Sequence, residues 1–107
     1  PQASINNFSA STGLLLPGDI ELSWSNLGTP SAEDKVEIRI AGPFISEGKT
    51  EVEKKMVYFD DVDGDDVVYT AGNLVENQWY WIYIRYVDKL GQTTAWQASQ
   101  ATPMVTP

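Results

Sequence analysis

The fold is indicated most clearly by residues 74–91, which read Leu74-Val-Glu-Asn-Gln-Trp-Tyr-Trp-Ile-Tyr-Ile-Arg-Tyr-Val-Asp-Lys-Leu-Gly91. Its middle part, residues 79–87, has the length of one strand, and successive side chains of a strand point to opposite faces. The face expected to enter the core comprises Tyr80, Ile82, Ile84 and Tyr86. The face expected to point outward comprises Trp79, Trp81, Tyr83 and Arg85.

Other segments show the period of half-buried strands, in which apolar residues alternate with polar ones. In residues 19–25, for example, Ile20, Leu22 and Trp24 alternate with polar side chains. Turn residues such as Pro17-Gly18 separate the runs. The sequence predicts strands at 3–9, 19–25, 35–41, 55–59, 67–71, 79–87 and 95–102, with an exposed connection or edge strand at 48–57. Seven short antiparallel strands fit an all-β sandwich of two sheets with Greek-key connections.

The decisive stretch resembles the signature of fibronectin type III domains, in which a Leu precedes a Tyr by six positions and apolar residues alternate into a turn containing Gly. The resemblance covers nearly the whole chain and implies an immunoglobulin-like sandwich. It implies that Leu74 plugs the bottom of the core. Tyr80 then forms a tyrosine corner, burying its ring and returning its hydroxyl to nearby backbone. Ile82 and Ile84 follow Tyr80 inward, and Trp24 matches the core Trp of the family.

The segment 80–96 is similar, more narrowly, to the type III modules of tail-tip host-specificity proteins in lambda-like bacteriophages. The positions that match are Tyr80, Ile84, Arg85, Val87, Asp88, Gly91 and Trp96. A Thr stands at position 94, where Ser is common. The resemblance implies a virion component at the distal end of a tail, within a trimeric hub. Its partners would be other tail or modular domains and a host cell-surface receptor.

Type III domains also recur in secreted bacterial proteins. The alternative is therefore an extracellular accessory module, either a spacer between domains or a binding module, of a secreted bacterial enzyme or surface protein. In either case the 107 residues are expected to form a single domain, 1–107, and Pro at both ends indicates a module cut from a longer chain.

Charge and hydropathy exclude two classes of partner. The net charge is −8, and among seven basic residues only Lys54 and Lys55 adjoin, so no nucleic-acid partner is expected. No apolar run approaches the ~18 residues of a membrane helix, so no membrane insertion is expected. The chain has no His and no Cys, which rules out the usual catalytic triads. Its carboxylates lie mostly on predicted turns and outward strand positions, so neither enzymatic activity nor a cofactor is expected.

The acidic run at 60–66 suggests a calcium loop, with Asp61, Asp63 and Asp65 as candidate ligands. An EF-hand loop needs Gly at its sixth position and Glu at its twelfth. Counted from Asp61, those positions hold Asp66 and Gly72. The ligand set is incomplete, which favours a solvated acidic turn and leaves calcium binding as the alternative.

The outward aromatic residues are the main functional clue, because large aromatics on an outer sheet face often mark a contact surface. The interface candidates are Trp79, Trp81, Tyr83, Arg85, Arg39 and Trp96. An intramolecular alternative places Arg39 and Arg85 on these rings as a cation–π ladder across the sheet. A third hypothesis takes Trp79, Trp81 and Tyr83 as stacking platforms for carbohydrate.

Overall fold

The described residues, 3–44 and 56–106 of a computed structural model, form seven β-strands. They are β1 Ser4–Thr12, β2 Ile20–Leu27, β3 Lys35–Phe44, β4 Met56–Asp63, β5 Val68–Ala71, β6 Trp79–Val87 and β7 Gln97–Ala101. The strands pair antiparallel in two sheets, sheet I with the order β1-β2-β5 and sheet II with the order β4-β3-β6-β7. The predicted all-β sandwich is confirmed. Across the described ranges, no helix is long and apolar enough to cross a membrane.

Strand β4 differs from its prediction. The acidic run was expected as a turn beginning at Asp60, but β4 continues to Asp63, and the turn falls at Gly64 and Asp65. The strand continues because β3 offers basic partners: Arg39 lies 3.6 Å from Asp61, and Lys35 is the register partner of Asp63. The predicted start at residue 55, and all of the 48–57 connection before Met56, lie outside the described residues.

The core lies between the two sheets, and β6 contributes four of its buried side chains. The exposed fractions of Tyr80, Ile82, Ile84 and Tyr86 are 1%, 0%, 0% and 0%. The intervening residues of β6 are all half-buried, so the predicted division of this strand into two faces is confirmed. Sheet I faces β6 with Ile20, Leu22 and Trp24, and β3 adds Val36, Ile38 and Ile40.

Tyr80 forms the predicted tyrosine corner. Its hydroxyl accepts a hydrogen bond of 2.9 Å from the backbone N–H of Val75, in the connection that precedes β6. Leu74 packs at the margin of the core, where the resemblance implied a plug. Its side chain is only partly buried against the core, while its backbone N–H donates to the carbonyl of Gly18 at 3.1 Å. This bond holds Leu74 beside the loop between β1 and β2, at the edge of the core.

Trp24 occupies the expected core position and is 5% exposed. Burial of an indole requires a partner for its ring N–H. The Nε1–H of Trp24 donates to the carbonyl of Asp66 at 2.9 Å, and its backbone N–H donates to the carbonyl of Val67 at 3.0 Å. Trp24 therefore anchors the β4–β5 turn to sheet I.

A buried polar cluster closes the end of the sandwich opposite the tyrosine corner. The hydroxyl of Tyr86 donates to Asp34 Oδ2 at 2.6 Å and accepts from the N–H of Ser31 at 3.0 Å. The other carboxylate oxygen of Asp34 accepts the N–H of Lys89 at 2.9 Å. Gly64 packs against this cluster so closely that a Cβ there would lie 2.6 Å from the Tyr86 hydroxyl. The β2–β3 loop, the β4–β5 turn and the β6–β7 turn thus meet at one phenol.

The β6–β7 turn is fixed by its first residue. One side-chain oxygen of Asp88, Oδ1, accepts the N–H groups of Leu90 and Gln92, both at 2.9 Å. Leu90 at the tip of the turn is 80% exposed. The turn therefore has an ordered base and a tip that stands in solvent.

Replacing Tyr80 with Phe removes the acceptor of the Val75 N–H while leaving the ring in place. The unpaired donor should lower the free energy of unfolding by about 1–3 kcal/mol. Urea denaturation of the two proteins measures this difference. A loss below about 0.5 kcal/mol, which is typical of neutral surface substitutions, would contradict the role given to the hydroxyl.

The second buried tyrosine gives a dependence on pH. Burial, and then the hydrogen bond to Asp34, raises the pKa of Tyr86 above its ordinary value of 10.0. The unfolded chain loses the phenol proton near pH 10, but the folded chain holds it to higher pH. The stability this proton contributes is complete below pH 10 and is lost as pH rises through the folded-state pKa.

Tyr86→Phe should therefore cost about 1–3 kcal/mol at neutral pH, because it leaves Asp34 and the Ser31 N–H short of a partner. It should also reduce the decline in stability between roughly pH 9 and 11. Urea denaturation at a series of pH values tests both effects. An equally steep alkaline decline in the variant would show that another group causes it.

Candidate functional site: the outer face of sheet II

The predicted interface residues come together on one surface, the outer face of sheet II. This surface consists of Trp79, Trp81, Tyr83 and Arg85 on β6, Glu37 and Arg39 on β3, Phe59 and Asp61 on β4, and Trp96 before β7. The strand register explains the grouping, since Arg39 is paired with both Phe59 and Tyr83. Six of these side chains are half-buried, whereas Phe59, Asp61 and Trp96 are exposed.

Glu37 holds the two arginines of this surface in place. Its Oε1 accepts from Arg85 Nε at 2.6 Å, and its Oε2 accepts from Arg39 Nη2 at 3.2 Å. Arg39 Nη1 also donates to the backbone carbonyls of Ile38 and Asp60, at 2.8 and 3.0 Å. Both guanidinium groups are therefore held in place by contacts within the domain.

Each arginine also lies over an aromatic ring. The Cζ of Arg85 is 4.3 Å from the ring centroid of Trp96, within the range of a cation–π contact. The Cζ of Arg39 is 5.2 Å from the ring of Phe59. The predicted ladder forms for Arg85, which stacks on Trp96, and Arg39 stacks on Phe59, a ring that the prediction did not name. The reason is the register, which places Phe59 directly across from Arg39.

Two rings on β6, those of Trp81 and Tyr83, pack on each other. Trp81 and Tyr83 have centroids 6.4 Å apart and planes inclined by 29°. Trp81 and Tyr83 are neighbours on one face of β6, so their stacked rings form the aromatic centre of the surface. The exposed rings lie to either side: Phe59, 65% exposed, is on the edge strand β4, and Trp96, 41% exposed, directly precedes β7.

The charges on this surface balance within it. Glu37 and Asp61 face Arg39 and Arg85, so two carboxylates oppose two guanidinium groups. The whole chain carries a net charge of −8, and the excess acid therefore lies elsewhere. A partner covering this face would desolvate charges that are already paired, which is far less costly than burying an unpaired one.

The candidate calcium ligands are not gathered around one point. Asp61 is paired with Arg39, Asp63 lies across from Lys35 at the end of β4, and Asp65 is in the following turn. In the part of the chain that the structure describes, no group of three acidic, His or Cys side chains is arranged to hold a metal ion.

Sequence reasoning missed three members of the surface, Glu37, Phe59 and Asp61, the last of which was considered only as a metal ligand. Glu37 was visible as a polar residue between Val36 and Ile38, but its partner Arg85 is distant in sequence and depends on the β3–β6 register. Phe59 was placed at the end of a predicted strand whose register was unknown.

Comparison with known proteins supports the fold. The chain matches no protein-family model and no curated protein sequence. The fibronectin type III domain of the human collagen alpha-1(XX) chain is similar, with TM-score 0.66 and 10% identity over 97% of this chain and 87% of that one. An Fn3-like protein from Clostridium thermocellum has TM-score 0.57 and 11% identity over 97% and 95% of the two chains. Pectate lyase Pel3 from Pectobacterium carotovorum has TM-score 0.61 and 13% identity over 95% of this chain and 28% of that chain.

At these identities the likeness concerns the fold alone. The chain has the fold of fibronectin type III domains, which confirms the broader of the two resemblances. None of these three structures is a tail-tip protein, so the narrower resemblance stays a prediction.

The bridging carboxylate can be tested with a matched control. Glu37→Gln breaks both arginine pairs on the surface and should lower the free energy of unfolding by about 1 kcal/mol, less at high salt. Glu33→Gln breaks the ion pair between Glu33 and Lys89, whose side chains are 73% and 66% exposed respectively. It should lower the free energy of unfolding by under about 0.5 kcal/mol. Urea denaturation at low and high salt compares them, and equal losses would contradict the central position of Glu37.

Proposed function

We propose that this domain is a non-catalytic packing and binding module of a phage tail tip. It contacts neighbouring protein domains through the outer face of sheet II. The observation that carries the proposal is the charge-balanced aromatic and guanidinium surface on a chain of net charge −8. The composition of this surface, rich in Trp, Tyr and Arg, is that of the well-packed centres of protein interfaces.

The order of the surface adds to this argument. Association costs free energy for each side chain that must be immobilised. Here Glu37 already fixes both arginines, and Trp96 already packs on Arg85. A partner therefore meets rings and charges in place and loses less free energy to ordering. This favours a protein surface of complementary shape as the ligand.

The assignment to a tail tip rests on the similarity of residues 80–96 to tail-tip modules. Two contacts give those matching positions a physical basis in this chain. Arg85 and Trp96, both part of the pattern, stack at 4.3 Å. Asp88 fixes the turn that leads to Gly91, through its bonds to Leu90 and Gln92. The proposed location is the virion, within a trimeric hub whose outer partner is a host cell-surface receptor.

A second candidate is an accessory module of a secreted bacterial enzyme or surface protein. It is favoured by the likeness to pectate lyase Pel3, in which the matching region is 28% of that chain. The outer face of sheet II would then pack against another domain of the same enzyme. The two candidates share the binding surface. They differ in the parent protein, which is a virion component in the first and a secreted enzyme or surface protein in the second.

The experiment uses the complete parent protein, carrying either Phe59→Ser or Val68→Ser. The two side chains are equally exposed, each 65%, but Val68 lies on β5 of sheet I. An antiserum against the domain follows each protein through density-gradient fractions of phage particles and through culture supernatant. We expect the wild-type and Val68→Ser proteins in the particles, and a reduction of about tenfold for Phe59→Ser, the size that a loss of ~1.4 kcal/mol gives.

Recovery of the antigen only as a soluble secreted protein would reject the tail tip in favour of the second candidate. Equal behaviour of the two variants would reject the outer face of sheet II as the binding surface. Urea denaturation of each variant separates a loss of contact from a loss of stability.

A further inference from the structure

A second exposed surface lies at the end of the sandwich that carries the tyrosine corner. It is formed by five large aliphatic side chains, Leu14, Leu15, Leu16, Val75 and Val105, which are 75%, 77%, 64%, 54% and 44% exposed. We call this set the apolar end. Three successive leucines in a solvent-exposed loop are costly to leave uncovered, because each retains most of its apolar area in water.

Backbone hydrogen bonds bring the parts of the apolar end together. The N–H of Gly18 donates to the carbonyl of Met104 at 2.8 Å, and the carbonyl of Gly18 accepts from Leu74 at 3.1 Å. Residues next to Val75 and Val105 are thereby joined to the loop that holds the leucines. The carbonyl of Asp19 accepts from both Gly13 and Met104, each at 2.9 Å, which closes the base of the loop.

The apolar end is also nearly free of charge. Residues 1–18 and 90–107 contain no charged side chain. Glu76, which is the nearest acid in sequence to Val75, is occupied by Thr106, whose N–H and hydroxyl both donate to its carboxylate. These bonds also hold the last described residues of the chain against the apolar end. A segment that continues beyond residue 107 starts at this surface.

We propose that the apolar end docks a folded module that follows residue 107 in the parent polypeptide, forming a stiff joint between the two. The inference rests on the part of the proposed function that makes this chain one module of a longer protein. It does not depend on the phage assignment or on sheet II.

The size of the surface favours a tethered partner over a free one. The domain measures 43 × 29 × 19 Å, so its end is about 29 by 19 Å across. A face of that size is smaller than the ~800 Å² that each partner contributes to a stable interface between separate proteins. Contacts between domains of one chain are stable at smaller areas, because the linker supplies an effective concentration on the order of millimolar.

The test uses the parent polypeptide, with hydrogen exchange at the amides of residues 14–16 as the readout. Leu15→Ser alters the apolar end, and Leu90→Ser is the matched control, since Leu90 is 80% exposed at the opposite end. We expect these amides to exchange about tenfold more slowly in the parent than in the 107-residue chain. Leu15→Ser should abolish that protection and Leu90→Ser should leave it intact.

Three outcomes would overturn the proposal. One is equal exchange in the parent and in the isolated chain. Another is loss of protection in both leucine variants. The third is sedimentation of the isolated chain as a dimer that Leu15→Ser dissociates, which would identify a second copy as the occupant. None of these outcomes bears on the particle fractionation or on Phe59→Ser, so a failure here is distinguishable from a failure of the proposed function.

Discussion

The two buried tyrosine hydroxyls of β6 tie both ends of the sandwich to its central strand. At one end Tyr80 accepts the N–H of Val75, and at the other Tyr86 bonds to Asp34 and Ser31. Each phenol carries a large apolar ring into the core and a polar group to backbone that would otherwise be buried without a partner. The positions of the loops, and with them the apolar end, follow from these attachments.

Much of this arrangement could be predicted, because a strand has a period of two and a tyrosine corner has a fixed spacing. The inward face of β6 and the core position of Trp24 needed only local sequence. The outward position of Arg85 followed from the same alternation. What alternation cannot supply is the identity of cross-strand neighbours, and for that reason the pairing of Arg39 with Phe59 was missed.

Other features depended on tertiary packing. Asp34 lies in a loop and looks like any turn residue, yet it is 9% exposed and serves both Tyr86 and Lys89. Leu74 looks like a core residue by its spacing, but its backbone bond to Gly18 holds it at the margin. The exposed leucines near residue 15 resemble a buried strand by composition alone. Only the structure places them at an end of the sandwich, where sheet packing cannot cover them.

The β6–β7 turn separates what the fold must keep from what it can vary. Its base cannot change freely, because Asp88 holds the backbone where β6 ends. At its tip the side chain of Leu90 is 80% exposed, whereas Gly91 has a φ of 86°, a backbone conformation that L side chains rarely adopt. Position 90 can therefore change without disturbing the register of the sheet, while position 91 favours Gly. The exposed side chain makes position 90 a natural place to attach a dye.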